Sequence, residues 1–266
     1  MTFEAARFEA ARRASQGVRN NQEDCAVLWP GGDDPFAPAT DLCEAGRLVT
    51  VLADGMGGHA GGALASRAVC EHFLLGYSGQ IGPTRDRLRG GLASANRAIE
   101  LVVEGNPALS GMGSTLIGAV FGPDGLEWIS VGDSPLYLYR RGEIALLNED
   151  HSLAPALDQL AAAGKITHEE ARTDPRRHML RSAITGEDLD LVDLSVKPLA
   201  LQPGDYVVLA SDGIHTLDEG EIARLITAYA ADGPKVIASA LIRSVDNMRD
   251  PQQDNTTVVV VRRSEG

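Results

Sequence analysis

Three cysteines in 266 residues are too few, and too irregularly spaced, for a disulfide framework or a zinc site. Cys25, Cys43 and Cys70 therefore read as reduced thiols in a reducing compartment. Positive charge is scarce too: Lys and Arg number 24 against 37 Asp and Glu, a formal charge of -13. Nucleic acid and anionic membrane surfaces reward Lys and Arg clusters, so both are excluded as main partners and a basic partner fits better. No apolar run approaches the roughly 18 residues of a membrane-spanning helix. Segment 1–16, which carries Glu4 and Glu9, has no stretch apolar enough for a secretory leader. The expectation is a cytoplasmic chain with no membrane insertion. Disorder is not expected either, because 44% of the residues are hydrophobic and only 23% charged. With no long linker and no solenoid repeat, 1–266 is expected to form one domain with a large core. A five-residue duplication, 3–7 repeated at 8–12, fits neither a helix nor a strand period and reads as a local oddity.

Short β-branched runs bounded by Gly, Pro or Asp predict strands over 48–52, 115–121, 126–131, 136–139, 206–209 and 256–261. Turn residues at Gly122-Pro123-Asp124-Gly125 and at Arg141-Gly142 join neighbouring candidates, which predicts an antiparallel meander. Helical spacing marks 85–103, where Leu88, Leu92, Ala95, Ile99 and Val102 share a face. Asp218, with Glu221 three residues on, makes a capping-box start for a helix through Ile222, Leu225, Ile226 and Tyr229; 234–247 reads as another. Grouped strands with grouped helices predict an α+β layered domain built on antiparallel sheets. Two stretches read as insertions: 30–46, rich in Pro, Gly and Asp, as a surface loop, and 153–177 as short helices without a strand partner.

Three strand candidates end in Asp followed by a small residue: Asp54-Gly55, Asp133-Ser134 and Asp212-Gly213. A strand end holds its carboxylate rigidly, and a following Gly lets the backbone turn so that its carbonyl can face the same site. Glu23, Asp24 and Asp254 add to the set. Taken singly, each Asp is better explained by turn chemistry. Together, if the fold converges them, they bring six like charges to one place, which only hard divalent cations with bound water make tolerable. Manganese or magnesium is the natural occupant.

In order along the chain, the motifs are Gly17-Val18-Arg19-Asn20-Asn21-Gln22-Glu23-Asp24, Asp54-Gly55-Met56-Gly57-Gly58-His59, Gly113-Ser114-Thr115, Gly132-Asp133-Ser134, Asp150-His151-Ser152-Leu153, Ser211-Asp212-Gly213 and Asp254-Asn255-Thr256-Thr257. In that order and spacing they resemble the PPM family, the type-2C-like metal-dependent protein phosphatases, and its bacterial members in particular. The resemblance implies two antiparallel sheets packed face to face as a sandwich between helical layers. It implies hydrolysis of phosphoserine and phosphothreonine in proteins by in-line attack of a water or hydroxide bridging two Mn2+ or Mg2+ ions, without a phosphoenzyme. Asp54 would bridge both metals, the Gly55 carbonyl would bind one, and Asp212 and Asp254 would complete the other's shell. Glu23 and Asp24 would act mainly through metal-bound waters. Asp133 with Asp212 would form a weaker third site. Arg19 would grip the substrate phosphate through its planar fork.

The partners so implied are phosphorylated proteins, substrates of a Ser/Thr kinase, met by a monomer. The segment 153–186 corresponds to the mobile flap of bacterial members, where Arg176, Arg177 and Arg181 are expected to help receive a phosphopeptide. Two departures stand out. Met56 occupies the position of the acid proposed for animal relatives, and Pro135 stands where the family commonly has Arg. His59 is read as orienting its loop and His151 as fixing a turn. Two alternatives differ in kind: a silent pseudophosphatase, against which the intact acids argue, and a phosphatase that awaits an activating partner.

Overall fold

Strands that are apolar on both faces must be covered twice, and this chain covers them with a second sheet on one side and helices on the other. The computed structural model describes residues 8–30 and 46–264, apart from the side chains of 58–60. In chain order the elements are β1 (Phe8–Ser15), β2 (Asp24–Trp29), β3 (Leu48–Met56), α1 (Gly58–Ser78), α2 (Thr84–Gly105), β4 (Gly113–Ser114), β5 (Leu116–Gly122) and β6 (Gly125–Val131). There follow β7 (Leu136–Arg140), β8 (Glu143–Leu146), α3 (Ala154–Ala162), α4 (His168–Thr173), β9 (Asp193–Leu194), β10 (Tyr206–Ala210), α5 (Glu219–Tyr229), α6 (Pro234–Met248) and β11 (Thr256–Arg263).

A five-stranded sheet runs β1-β11-β10-β7-β8 and a six-stranded one β2-β3-β5-β6-β9, with β4 paired to β3. Every pairing is antiparallel. Between the sheets lies a core of Leu52, Ile117, Phe121, Leu126, Leu136, Val207, Leu209 and Val259, all fully buried or nearly so. Val49, Val51 and Leu116 on the outer face of the second sheet pack with Val69, Phe73, Leu88 and Ile99 of α1 and α2. On the other side Tyr206, Val208, Val258 and Val260 meet Ile222, Ile226, Ile237 and Leu241 of α5 and α6. The result is the expected α-β-β-α sandwich.

Helix α5 starts on the expected capping box: the Asp218 carboxylate accepts from Glu221 N at 2.7 Å and Glu221 Oε2 accepts from Asp218 N at 3.0 Å. The expected strands and helices are all present, within a few residues at their ends.

Several features differ from the sequence reading. Asp54-Gly55 does not end a strand: β3 continues to Met56, and Gly55 pairs with Ser114 in the register that Leu52 keeps with Ile117. Gly55 is needed for close approach instead, since a Cβ there would stand 2.0 Å from the Gly62 carbonyl oxygen of α1. The second copy of the duplication falls in β1, where pairing to β11 overrides the helical preference of Glu-Ala-Ala-Arg. Phe8 and Ala10 of that strand pack on the core between the sheets. The first copy, 3–7, lies outside the described residues, as do most of the 30–46 loop and Cys43. Strand β2 and helix α1 were not foreseen, because short β2 opens on an acid and α1 opens on a glycine-rich motif. Cys25 and Cys70 are in no disulfide, and Cys70 Sγ lies 3.6 Å from the Cys25 carbonyl oxygen. Among the described residues no helix is long and apolar enough to cross a membrane.

Candidate metal centre and substrate cleft

Where the two sheets meet at one end, strand ends from both deliver acids to one cleft of about 830 Å³. Arg19, Glu23, Asp54, Gly55, Asp133, Asp212 and Asp254 line it, so seven of the eight sequence-derived site residues share one surface. The eighth, Asp24, opens β2 opposite Asp54 in the strand register and feels the charges of Asp212 and Asp254.

Small polar side chains hold the acids in place. Asp54 sits in a bracket from the neighbouring strand: its N–H donates to Thr115 Oγ1 at 3.0 Å, and its carbonyl accepts from Ser114 Oγ and Thr115 N, both at 2.8 Å. Asp24 Oδ2 accepts from Ser211 Oγ at 2.7 Å. Asn255, buried beside Asp254, accepts from Glu23 N at 2.7 Å and donates to the carbonyls of Gln16 and Asn21 at 2.8 and 3.0 Å. It thus fixes the loop that carries Arg19 and Glu23. Gly17 lets that loop come close, its φ of +59° placing a hypothetical Cβ 2.4 Å from the Asp254 carbonyl oxygen. His151 fixes the Gly132-Asp133 turn, as expected: its Nδ1 accepts from Gly132 N at 3.2 Å and its backbone N–H donates to the Gly132 carbonyl at 3.1 Å. Burial above all lowers its pKa from the ordinary imidazole value, against the pull of Glu149, Asp193 and Asp150. Pro135, in place of Arg, gives its carbonyl to Ala210 N at 3.0 Å and so ties that loop to β10.

The electrostatics are those of crowded anions. Burial above all, then the charges of Asp24, Asp212, Asp133 and Asp254, raises Asp54 well above the carboxylate range. Burial and then Asp212 push Asp133 up to about 7. Asp24 is likewise raised to about 7, chiefly by burial, against the pull of the Ser211 hydrogen bond. Burial followed by the Asp254 charge raises Asp212.

Asp24 Oδ1 and Asp212 Oδ1 are enclosed and have no hydrogen-bond partner. Oxygen donors left unsatisfied in this way, in an all-carboxylate set, fit a hard divalent cation. Among the described residues, however, no three Asp, Glu, His or Cys side chains are already arranged to hold an ion. Arg19 donates to Asp254 Oδ2 at 2.5 Å instead of lying free for a phosphate. The donors fit by chemistry, and Asp254 is the one whose carboxylate is engaged by Arg19.

The far wall of the cleft is the stretch from His178 to Asp190. It is zipped in at two places, by the bridges Ser152↔Leu180 and Ser114↔Ile184. The second joins this wall to the bracket around Asp54. Of the three arginines expected to receive phosphopeptide, two are committed elsewhere. Arg176 pairs with Asp174 at 2.8 Å, and Arg177 pairs with Asp158 of α3 at 2.8 and 2.9 Å. Arg181 alone lines the cleft. Glu187, Asp188 and Asp190 line it as well and were not foreseen. The side chain of His59 lies outside what the structure describes. Ser114, Thr115, Ser211 and Asn255 were legible only as neighbours of the acids within the motifs; nothing in their spacing announces whom they bond.

Comparison with known proteins agrees with this arrangement. The sequence model of the family described as protein phosphatase 2C matches residues 32–252. A serine/threonine protein phosphatase of Mycobacterium tuberculosis, PstP, is 34% identical over 226 residues, covering 83% of this chain and 41% of that protein. The chain thus spans less than half the length of that relative. A serine/threonine phosphatase, stp, of Listeria welshimeri is 30% identical over 267 residues, 97% of this chain and 96% of the relative. The crystal structure of the catalytic domain of PstP in complex with 2 manganese ions superposes with a TM-score of 0.73 at 29% identity, over 97% of this chain and 99% of that one.

Proposed function

Because the chain belongs to the protein phosphatase 2C family, we propose that it is a protein serine/threonine phosphatase that works with two Mn2+ or Mg2+ ions in the acidic cleft. The observation that carries this reading is the pair of enclosed, unpartnered carboxylate oxygens on Asp24 and Asp212, in a set of acids that raise one another's pKa. The manganese pair in the PstP catalytic domain, a fold that this chain shares, supports it.

When bound, the ions supply Lewis-acid activation of water and neutralise charge during in-line displacement at a phosphomonoester. The chain's part is to hold them and to place the ester. Asp54, the Gly55 carbonyl, Asp212 and Asp254 are the proposed holders, with Glu23, Asp24 and Asp133 around them. Arg19 is the one guanidinium beside the acids on the loop fixed by Asn255. In this reading it leaves Asp254 for the substrate phosphate, which its planar fork grips in two places. The wall from His178 to Asp190 bounds the space for the peptide. A single domain with a flap at 153–186, acting on phosphoproteins made by a Ser/Thr kinase in the cytoplasm as a monomer, completes the proposal.

The test is hydrolysis of a phosphothreonine peptide by the purified chain with Mn2+, with EDTA, and as Asp212→Ala. Turnover with Mn2+ that is lost in the other two conditions is the expected result. No turnover by folded, metal-bound protein would sink the reading as an autonomous phosphatase and favour one that awaits a partner.

A further inference from the structure

Ser211 is wholly buried where the chain leaves β10, one residue before Asp212. Its Oγ lies 2.9 Å from Thr257 N and 2.7 Å from Asp24 Oδ2. A backbone N–H can only donate, so Oγ accepts from Thr257. Its single proton is then committed to the carboxylate. The residue is anchored besides, because Ser211 N donates to the Thr257 carbonyl at 3.0 Å. One hydroxyl therefore ties β10 and β11 of one sheet to the first residue of β2 in the other.

The tie has a consequence for Asp24. Its Oδ2 is engaged, and the oxygen left without a protein partner is Oδ1, enclosed in the same acidic set. We propose that Ser211 is a positioning residue for the metal centre: by holding Asp24 Oδ2 from the strand end that also carries Asp212, it fixes which Asp24 oxygen faces the ions and in what relation to Asp212. This role rests on the metal-dependent reading above. Hydrogen bonds to a ligating group from the surrounding shell commonly change metal affinity by about 10- to 100-fold. Replacing the hydroxyl removes the hold on Oδ2, leaves only the Thr257 side chain beside the carboxylate, and loosens the preset relation to Asp212.

The experiment is a double-mutant cycle on the full chain, read as the Mn2+ Kd by titration calorimetry, with melting in EDTA as the folding control. Expected is an increase in Kd of about tenfold for Ser211→Ala. Asp24→Asn should raise Kd also, and adding Ser211→Ala to Asp24→Asn should change it by less than about twofold. An unchanged Kd for Ser211→Ala would remove Ser211 from the site. Equal losses in both backgrounds would reduce it to a clasp between β10 and β11. Either result overturns the proposal. If Ala compromises folding, Ser211→Cys, similar in volume with a weaker donor, is run through the same cycle with the same overturning results. Wild-type protein that binds Mn2+ yet never hydrolyses phosphopeptide would overturn the functional reading while leaving the cycle decisive. Wild-type protein that binds no Mn2+ would overturn both.

Discussion

A buried carboxylate in this site is governed as much by its uncharged neighbours as by the other acids. Asn255 is the clearest case, because one amide satisfies Glu23 N, the Gln16 carbonyl and the Asn21 carbonyl at once. Truncation would orphan all three, at about 1–3 kcal/mol for each group that stays buried. Asn255→Ala is expected to lose about 3 kcal/mol of stability, measured by urea unfolding in EDTA; a loss below about 1 kcal/mol would show that the loop relaxes to water. Protons on the acids give a second expectation. A carboxylate with a raised folded pKa keeps a proton that the unfolded chain has released, so the metal-free fold loses stability as pH rises from the ordinary 3.8 to about 7. A bound cation must displace those protons. The rise in melting temperature given by Mn2+ over EDTA should therefore be small near about pH 5 and grow through about pH 7. A rise independent of pH would place the ion away from Asp24, Asp54 and Asp133.

Elements differ in how firmly they are held. Strands β5, β10 and β11 lie between two cores, whereas α3 and α4 share only a small cluster of Leu157, Ala161 and Ala171 with Leu153 and Ile166. Their other ties are surface pairs such as Arg177 with Asp158, each worth about 0–1 kcal/mol. The α3–α4 unit is expected to open on its own, well below the cost of global unfolding. Hydrogen exchange followed by mass spectrometry should find residues 154–173 exchanging faster than β5 or β10. Leu157→Ala should speed exchange there further while moving the global melting temperature little. Equal protection of α3–α4 and the sheets would contradict this picture. Arg176 and Arg177 read as phosphate receivers from the sequence because a run of basic residues shows no partners; only the turn that brings Asp174 and Asp158 to them revealed that they are neutralised.

At the scale of the molecule, the formal charge of -13 agrees with a cleft whose far wall carries Glu187, Asp188 and Asp190 against Arg181. Exposed charges act over roughly a Debye length, about 10 Å at 0.1 M salt. A phosphothreonine peptide flanked by Lys and Arg should thus show a higher kcat/KM than one flanked by Glu. The ratio should shrink towards one as salt rises to about 0.5 M, and also in Asp188→Asn/Asp190→Asn. A preference insensitive to salt and to that variant would assign selectivity to shape.

The sequence by itself determined the layer class, most of the strands and the acids of the site, because period-2 and period-3.6 patterns and acids at strand ends are local signals. The capping box of Asp218 and Glu221 shows how far such signals reach, both bonds forming as the spacing requires. Tertiary structure alone decided what depends on contacts distant in the chain. Glu-Ala-Ala-Arg became an edge strand because β11 offered it a full ladder, and β3 ran through Asp54-Gly55 because β4 carried on the pairing of β5. The same holds for the bond between Ser211 and Asp24, residues 187 positions apart. A hydroxyl or amide can bond any group within reach, and reach is set by the packing of two sheets.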